Sequence, residues 1–235
     1  MWNTAAAWLL MAASTAPIAT PRDVVQSAVL RVIAALDAAR SDRLEASHAG
    51  PPDFGRARIE IRRVASELFD FDEVARRTLS RHWAARTPAE RTEFVRLFTD
   101  FLERSYVGKL EAYAGEKIVY VGEIVDGRYA TVRSRILTGR RTDTGLDYQL
   151  HLAKGRWKVY DLLIDGIGFV STYRSEFNRV IQSSGYDDLI KRLRKRSSTP
   201  LAMGGPEMAP HTPQRSDRPG EAVALLDTAA DSLVF

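Results

Sequence analysis

The apolar residues of this chain change their spacing once, after Gly115, and that change limits the folds open to it. Before Gly115 they recur at steps of three and four, the repeat that lines one face of a helix. After it they recur at steps of two, as in a half-buried strand. In the first part, Pro21 to Ala46 carries Val25, Val29, Val32, Ile33 and Leu36 at helical spacing. Pro21 suits a first turn, where its missing N–H would have no partner anyway. Ala49-Gly50-Pro51-Pro52 breaks the chain. A second helix is expected over Arg56 to Leu68 and a third from Phe71 or Asp72 to His82, with Phe69 and Phe71 anchoring their junction. Thr87-Pro88-Ala89-Glu90 has the spacing of a capping box with proline at the first helical position. The helix it opens should reach about Tyr113. It puts Phe94, Leu97, Phe98, Phe101 and Leu102 on one broad face, and Tyr106, Leu110 and Tyr113 extend that stripe.

The second part reads as hairpins. Ile118 to Val125 is a strand, Asp126-Gly127 a turn signal, and Tyr129 to Leu137 the returning strand. In it Ala130, Val132 and Ile136 alternate with Thr131, Arg133 and Arg135. A polar loop at Arg140 to Gly145 follows. Leu146, Tyr148, Leu150 and Leu152 then alternate, Lys154-Gly155 turns, and Arg156 to Ile164 returns. Two helices, Ile167 to Gln182 and Asp187 to Arg196, close the body. Helices in a run followed by strands in a run give an α+β fold, mostly helical, with a four-stranded antiparallel meander packed on helices.

At 235 residues the chain has room for one domain and two tails, and with no cysteine it can hold neither a disulfide framework nor a thiolate metal site. Residues 1–20 are uncharged and apolar over Ala5 to Ala13, too short to span a bilayer but suited to a secretory signal that lacks its basic start. The folded domain is expected over 21–196. Residues 197–235 are rich in proline, glycine and serine and are expected to be a disordered tail. The formal net charge is +4, and since the tail is acidic and the leader neutral the body alone carries +7. It favours an anionic partner only weakly.

Little in the chain announces catalysis. The four histidines, His48, His82, His151 and His211, fall in different elements, so no metal site is expected. Glycine-rich phosphate loops and the G-x-S-x-G elbow are absent. Asp161 and Asp165 share a strand face about 13 Å apart, too far for a coupled carboxylate pair. Asp161 alone could serve as a general base. The plainer expectation is an ion pair with Arg133 or Arg135. The run Lys191 to Arg196 lacks the interleaved aromatics that stack bases, so no nucleic-acid partner is expected.

Four stretches carry a resemblance: FDFDEVARRTLSRHW, TPAERTEFVRLFTDFLERSYVGKLEAY, GRWKVYDLLIDGIGFVSTYRSEFNRVI and YDDLIKRL. In order and spacing they resemble the MlaC family of periplasmic phospholipid-binding proteins, also called Ttg2D or toluene-tolerance auxiliary proteins, from about Phe69 to Arg196. The family usually has Glu-Gly-Val-Ser where this chain has Asp165-Gly166-Ile167-Gly168. The resemblance implies a monomeric periplasmic carrier with no catalytic residue and no cofactor, whose cargo is phospholipid. It would exchange that cargo with an inner-membrane ABC transporter complex and an outer-membrane complex; a hopanoid-type lipid is the alternative cargo. A small-molecule enzyme using Asp161 is the reading from a different class.

A carrier of this kind encloses an apolar lipid pocket. The long helix would contribute Phe98, Phe101, Leu102, Tyr106, Leu110 and Tyr113. From the meander would come Val132, Ile136, Tyr148 and Leu150, together with Trp157, Val159 and Leu163. Ile167 and Val170 would close it at the turn into the next helix.

Overall fold

The computed structural model describes residues 19–45, 54–111, 113–137 and 143–198. Helices α1 (Pro21–Glu45), α2 (Gly55–Leu68), α3 (Phe71–Leu79) and α4 (Pro88–Glu111) precede strands β1 (Lys117–Asp126), β2 (Tyr129–Leu137), β3 (Thr144–Ala153) and β4 (Arg156–Ile164). A short strand β5 (Ile167–Gly168) and helices α5 (Phe169–Ser184) and α6 (Tyr186–Ser198) complete the chain. The sheet is antiparallel in sequential order β1 to β5. The α+β class holds. The leader up to Ile18, the tail from Thr199 and the arginines of the β2–β3 loop lie outside the described residues, so the expectations made for them do too.

Local chemistry sets the boundaries. At the start of α4 the capping box is made in full: the Thr87 N–H donates to Glu90 Oε2 at 2.7 Å and the Glu90 N–H to Thr87 Oγ1 at 3.3 Å. That satisfies two donors that a helix start leaves orphaned. Asp70 caps α3 by accepting from the Glu73 N–H at 3.0 Å, and the Phe69 and Phe71 rings stack beside it at 5.7 Å. The third helix stops at Leu79 rather than at His82, because Ser80 takes φ 48°, outside the range of a right-handed α-helix. A turn of 3₁₀ helix covers Ser80–His82 instead.

Two expectations are corrected at the last strand. Asp165 (φ 48°) and Gly166 (φ 84°) form a tight hairpin, so Ile167 and Gly168 fold back to pair with Ile164 and Leu163. The meander therefore has a fifth strand, and the next helix begins at Phe169, not at Ile167.

Buried apolar side chains gather in three clusters. The first joins α3, α4, α5 and α6 around Phe94, Phe98, Tyr173 and Phe177. The second lies between α1, α2 and the sheet around Val25, Val64, Val132, Leu150 and Val159. The third is small and lies where α1 and α2 meet the end of α4, around Leu36, Ile61 and Val107. Domains of this size usually hold one contiguous core. Here the division is what positions the candidate site.

Candidate functional site

Residues directly opposite in a sheet share a face. By the observed register, one face carries Ala130, Val132, Ser134 and Ile136 of β2 and Leu146, Tyr148 and Leu150 of β3. Trp157, Val159, Leu162 and Ile164 of β4 and Ile118 and Tyr120 of β1 continue it. Helices α1 and α2 pack on the half of this face that contains Ala130, Leu150 and Val159. On the other half Ile136, Leu146, Leu162 and Ile164 are only half-buried.

Helix α4 packs on α2, α3, α5 and α6 and makes no broad contact with the sheet among the described residues. Its first half is locked into the first cluster, whereas Tyr106 stands half-buried at that cluster's margin and Leu110 is 40% exposed. Phe169, at the start of α5, lies against Tyr106 with ring centroids 5.7 Å apart. Tyr113 and Val107 border the third cluster, and Val32 of α1 touches the second and third together. Half-buried apolar side chains thus stand at the margin of each cluster, Tyr106 and Phe169 at the first, Leu146 and Leu162 at the second, Tyr113 at the third and Val32 between the second and third, a set of margins termed the seam.

Polar groups along the seam are few. The Tyr106 and Tyr173 hydroxyls lie 3.1 Å apart, and burial pushes both phenols upward in pKa. Tyr120 is pushed up to about 12 by burial, and its hydroxyl has no hydrogen-bond partner among the described residues. Ser134 donates to the Leu146 carbonyl at 2.8 Å. The groups needed to bind a metal are missing too: no cluster of potential ligands occurs among the described residues. His151 is taken by Asp70 at 2.9 Å, and His82 by Asn178 at 3.1 Å.

Asp161 is neither a free base nor the partner of Arg133 or Arg135. Its Oδ1 accepts from the N–H groups of Leu162 and Val170, each at 2.9 Å, so it caps α5 from the neighbouring strand. The expected ion pair fails because Asp161 lies opposite Gln149, which lies opposite Thr131; Arg133 is one step further along and sits 3.9 Å from Asp147. Burial raises the Asp161 pKa, against the pull of its two N–H donors and of Arg174 and Arg77. Asp165 is a turn anchor, accepting from the Gly145 N–H at 2.7 Å.

The residues expected to line a pocket fall in three groups. Phe98, Phe101, Leu102 and Val170 are buried in the first cluster, and Val132, Tyr148, Leu150, Trp157 and Val159 in the second. Tyr106 and Tyr113 lie on the seam, while Ile136 is half-buried and Leu110 and Ile167 are exposed by 40% and 39%. Leu163 is the correction. A bulge between Gln149 and Leu150 lets β4 run one residue ahead, so Leu163 turns to the face opposite Val159 and Leu162 takes the inner place. Leu146, Leu162, Tyr120, Phe169 and Val32 were not picked out from the sequence as lining residues. Leu146 was visible in the β3 alternation, and Phe169 in the apolar run after Gly166.

A separate cleft of ≈ 540 Å³ opens where α1 and α2 meet β4, floored by Val24, Ala28, Val64, Leu68 and Trp157. Two of its cations, Arg31 and Lys158, are already engaged. Arg31 pairs with Glu60 and Glu67, and Lys158 donates to the Ser66 and Glu67 carbonyls at the end of α2.

Known proteins share this fold. A family model described as MlaC protein matches residues 37–195, about two thirds of the chain. The intermembrane phospholipid transport system binding protein MlaC of Haemophilus influenzae is 22% identical over 53% of this chain, a match that spans 61% of that protein's length. The toluene tolerance protein ttg2D of Pseudomonas putida is 25% identical over 72% of this chain and 76% of its own. In fold, the chain resembles a phospholipid-binding protein of Ralstonia solanacearum solved in complex with a phospholipid. That likeness has a TM-score of 0.63 and 24% identity, over 76% of this chain and 97% of the other. The family match runs from the second half of α1 into the last turn of α6, taking in the whole first cluster and the whole sheet, and the chain belongs to the MlaC protein family.

Proposed function

We propose that this protein is a periplasmic lipid carrier that holds a phospholipid by its acyl chains and passes it between an inner-membrane ABC transporter complex and an outer-membrane complex. The observation that carries the proposal is the seam: three apolar clusters that do not fuse, with half-buried side chains where they meet. An acyl chain is the ligand such a space suits, because apolar walls with few polar contacts gain from apolar surface. The names of the Haemophilus and Ralstonia relatives, a phospholipid transport protein and a phospholipid-binding protein, support the same cargo.

Magnitudes favour a shuttle over a store. Each buried CH₂ is worth ~0.8 kcal/mol, so one chain of ~14 gains on the order of 11 kcal/mol relative to water. Loss of cargo to water is then negligible. A bilayer offers the chain nearly the same environment, so exchange with a membrane or a docked partner is close to neutral, and direction comes from the partners. No catalytic group is required. In this reading residues 1–20 are an export signal removed from the mature protein, which begins near α1, and the N-terminal sequence of the secreted protein tests that part. No helix among the described residues is long and apolar enough to cross a membrane. Vesicles of fluorescent phospholipid test the carriage itself: after incubation and sedimentation of the vesicles, the protein in the supernatant carries the label. Protein that stays unlabelled at every ratio overturns the proposal.

A further inference from the structure

Strand β1 is ten residues long, forms one edge of the sheet, and bonds to β2 alone. Among the described residues no backbone hydrogen bond leaves it on its other side. Val121, Ile124 and Val125 are 55%, 53% and 53% exposed. A long apolar edge is a template for another strand unless proline, inward lysines or a covering element blocks it. β1 contains no proline, and its one lysine, Lys117, is at its end. The edge lies on the opposite side of the sheet from β5.

What fits this edge is settled by its bulge. Two copies of a strand that pair about a two-fold axis must set residues of the same face opposite one another. In an unbroken strand this requires the axis to pass through a residue. The bulge between Tyr120 and Gly122 reverses the alternation. Ile118 and Tyr120 therefore share the helix-covered face with Glu123 and Val125, while Lys117 and Val119 share the outer face with Ile124 and Asp126. An axis midway between Val121 and Gly122 now sets like face against like face along the whole strand. Lys117 falls opposite Asp126, Ile118 opposite Val125, and Val119 opposite Ile124.

We propose that β1 pairs antiparallel with β1 of a second copy in this register, joining two five-stranded sheets into one. Lys117 and Asp126 make no ion pair among the described residues, and this register gives each a partner at both ends of the junction. A slip of two residues either way loses both charge pairs, so the charges fix the register. The dimer replaces the monomer expected from the sequence and leaves each copy its own seam.

Sedimentation velocity of the full chain tests it with Lys117→Asp, Asp126→Lys and the double reversal. The parent protein sediments as a dimer. Each single reversal creates two like-charge oppositions and raises the dimer dissociation constant about tenfold, and the double reversal restores it. Circular dichroism confirms that all three variants fold, as exposed strand-end residues allow. A parent protein of single-chain mass at all attainable concentrations overturns the proposal. So do single and double reversals that dimerise alike, which would place the contact elsewhere.

Discussion

Asp161 on β4 holds the start of α5: its carboxylate accepts from the Val170 N–H at 2.9 Å, nine residues further along the chain. This bond spans the hairpin at Asp165-Gly166 and fixes where α5 leaves the sheet, and with it the position of Phe169 at the seam. Asp161→Ala removes the acceptor and leaves a helix-terminal N–H unsatisfied, at a cost of about 1–2 kcal/mol in urea unfolding. Asp161→Asn, which keeps an acceptor oxygen, costs less.

The same carboxylate gives a pH signature. Burial raises its folded pKa above the ordinary 3.8, so within the window above 3.8 the folded state holds its proton more tightly than the unfolded state does. Stability from this group is therefore greatest at low pH and falls as pH rises through that window. Relative to Asp161→Asn, which cannot titrate, the parent protein should lose stability between pH 4 and pH 7. Paired urea titrations at the two pH values check the sign.

Leu162 and Leu163 are adjacent and so point to opposite faces of β4, and the bulge before them gives the inner face to Leu162. Leu162→Gln puts a polar group on the seam and should lower bound lipid several-fold, since burying an amide against hydrocarbon costs about 1–3 kcal/mol. Leu163→Gln should leave lipid content unchanged. Equal effects from the two would contradict the face assignment.

At the rim, Ile167 is 39% and Leu110 40% exposed, so a charge at either position should not unfold the protein. Ile167→Glu and Leu110→Glu are expected to keep the parent circular dichroism spectrum and lose at least about tenfold in bound phospholipid.

Phe98 sits among the rings of Phe94, Phe101, Phe169, Tyr173 and Phe177, with centroids 5.0–6.4 Å away. It is 1% exposed. Phe98→Ala should cost about 3–5 kcal/mol of stability, measured by denaturant unfolding, because it empties the centre of a packed cluster.

Much of the fold was legible because periodicity is a property of the sequence itself. Thr87 and Glu90 announced the start of α4 from their spacing, and the alternation of Ala130 and Val132 announced β2. Features without a period were not legible. β5 is two residues long, and the bulge opposite Leu150 shifts every later side chain of β4 by one place, so Leu163 looked like a partner of Val159. Asp161 caps a helix through a backbone N–H, and no side-chain spacing signals such a bond. The seam was the least legible part. Spacing shows which side chains turn inward, and Phe98, Phe101, Val132 and Val159 do so. Whether a side chain then meets a neighbour or a gap depends on how α4 sits against the sheet, which only the packing of whole elements decides.

The central claim is that the seam holds lipid. The most direct measurement is organic extraction of the purified protein followed by mass spectrometry against protein concentration. The account predicts phospholipid at a fixed molar ratio to protein, reduced in Leu162→Gln and unchanged in Leu163→Gln. An extract without phospholipid, from protein that also takes up none from vesicles, would contradict it.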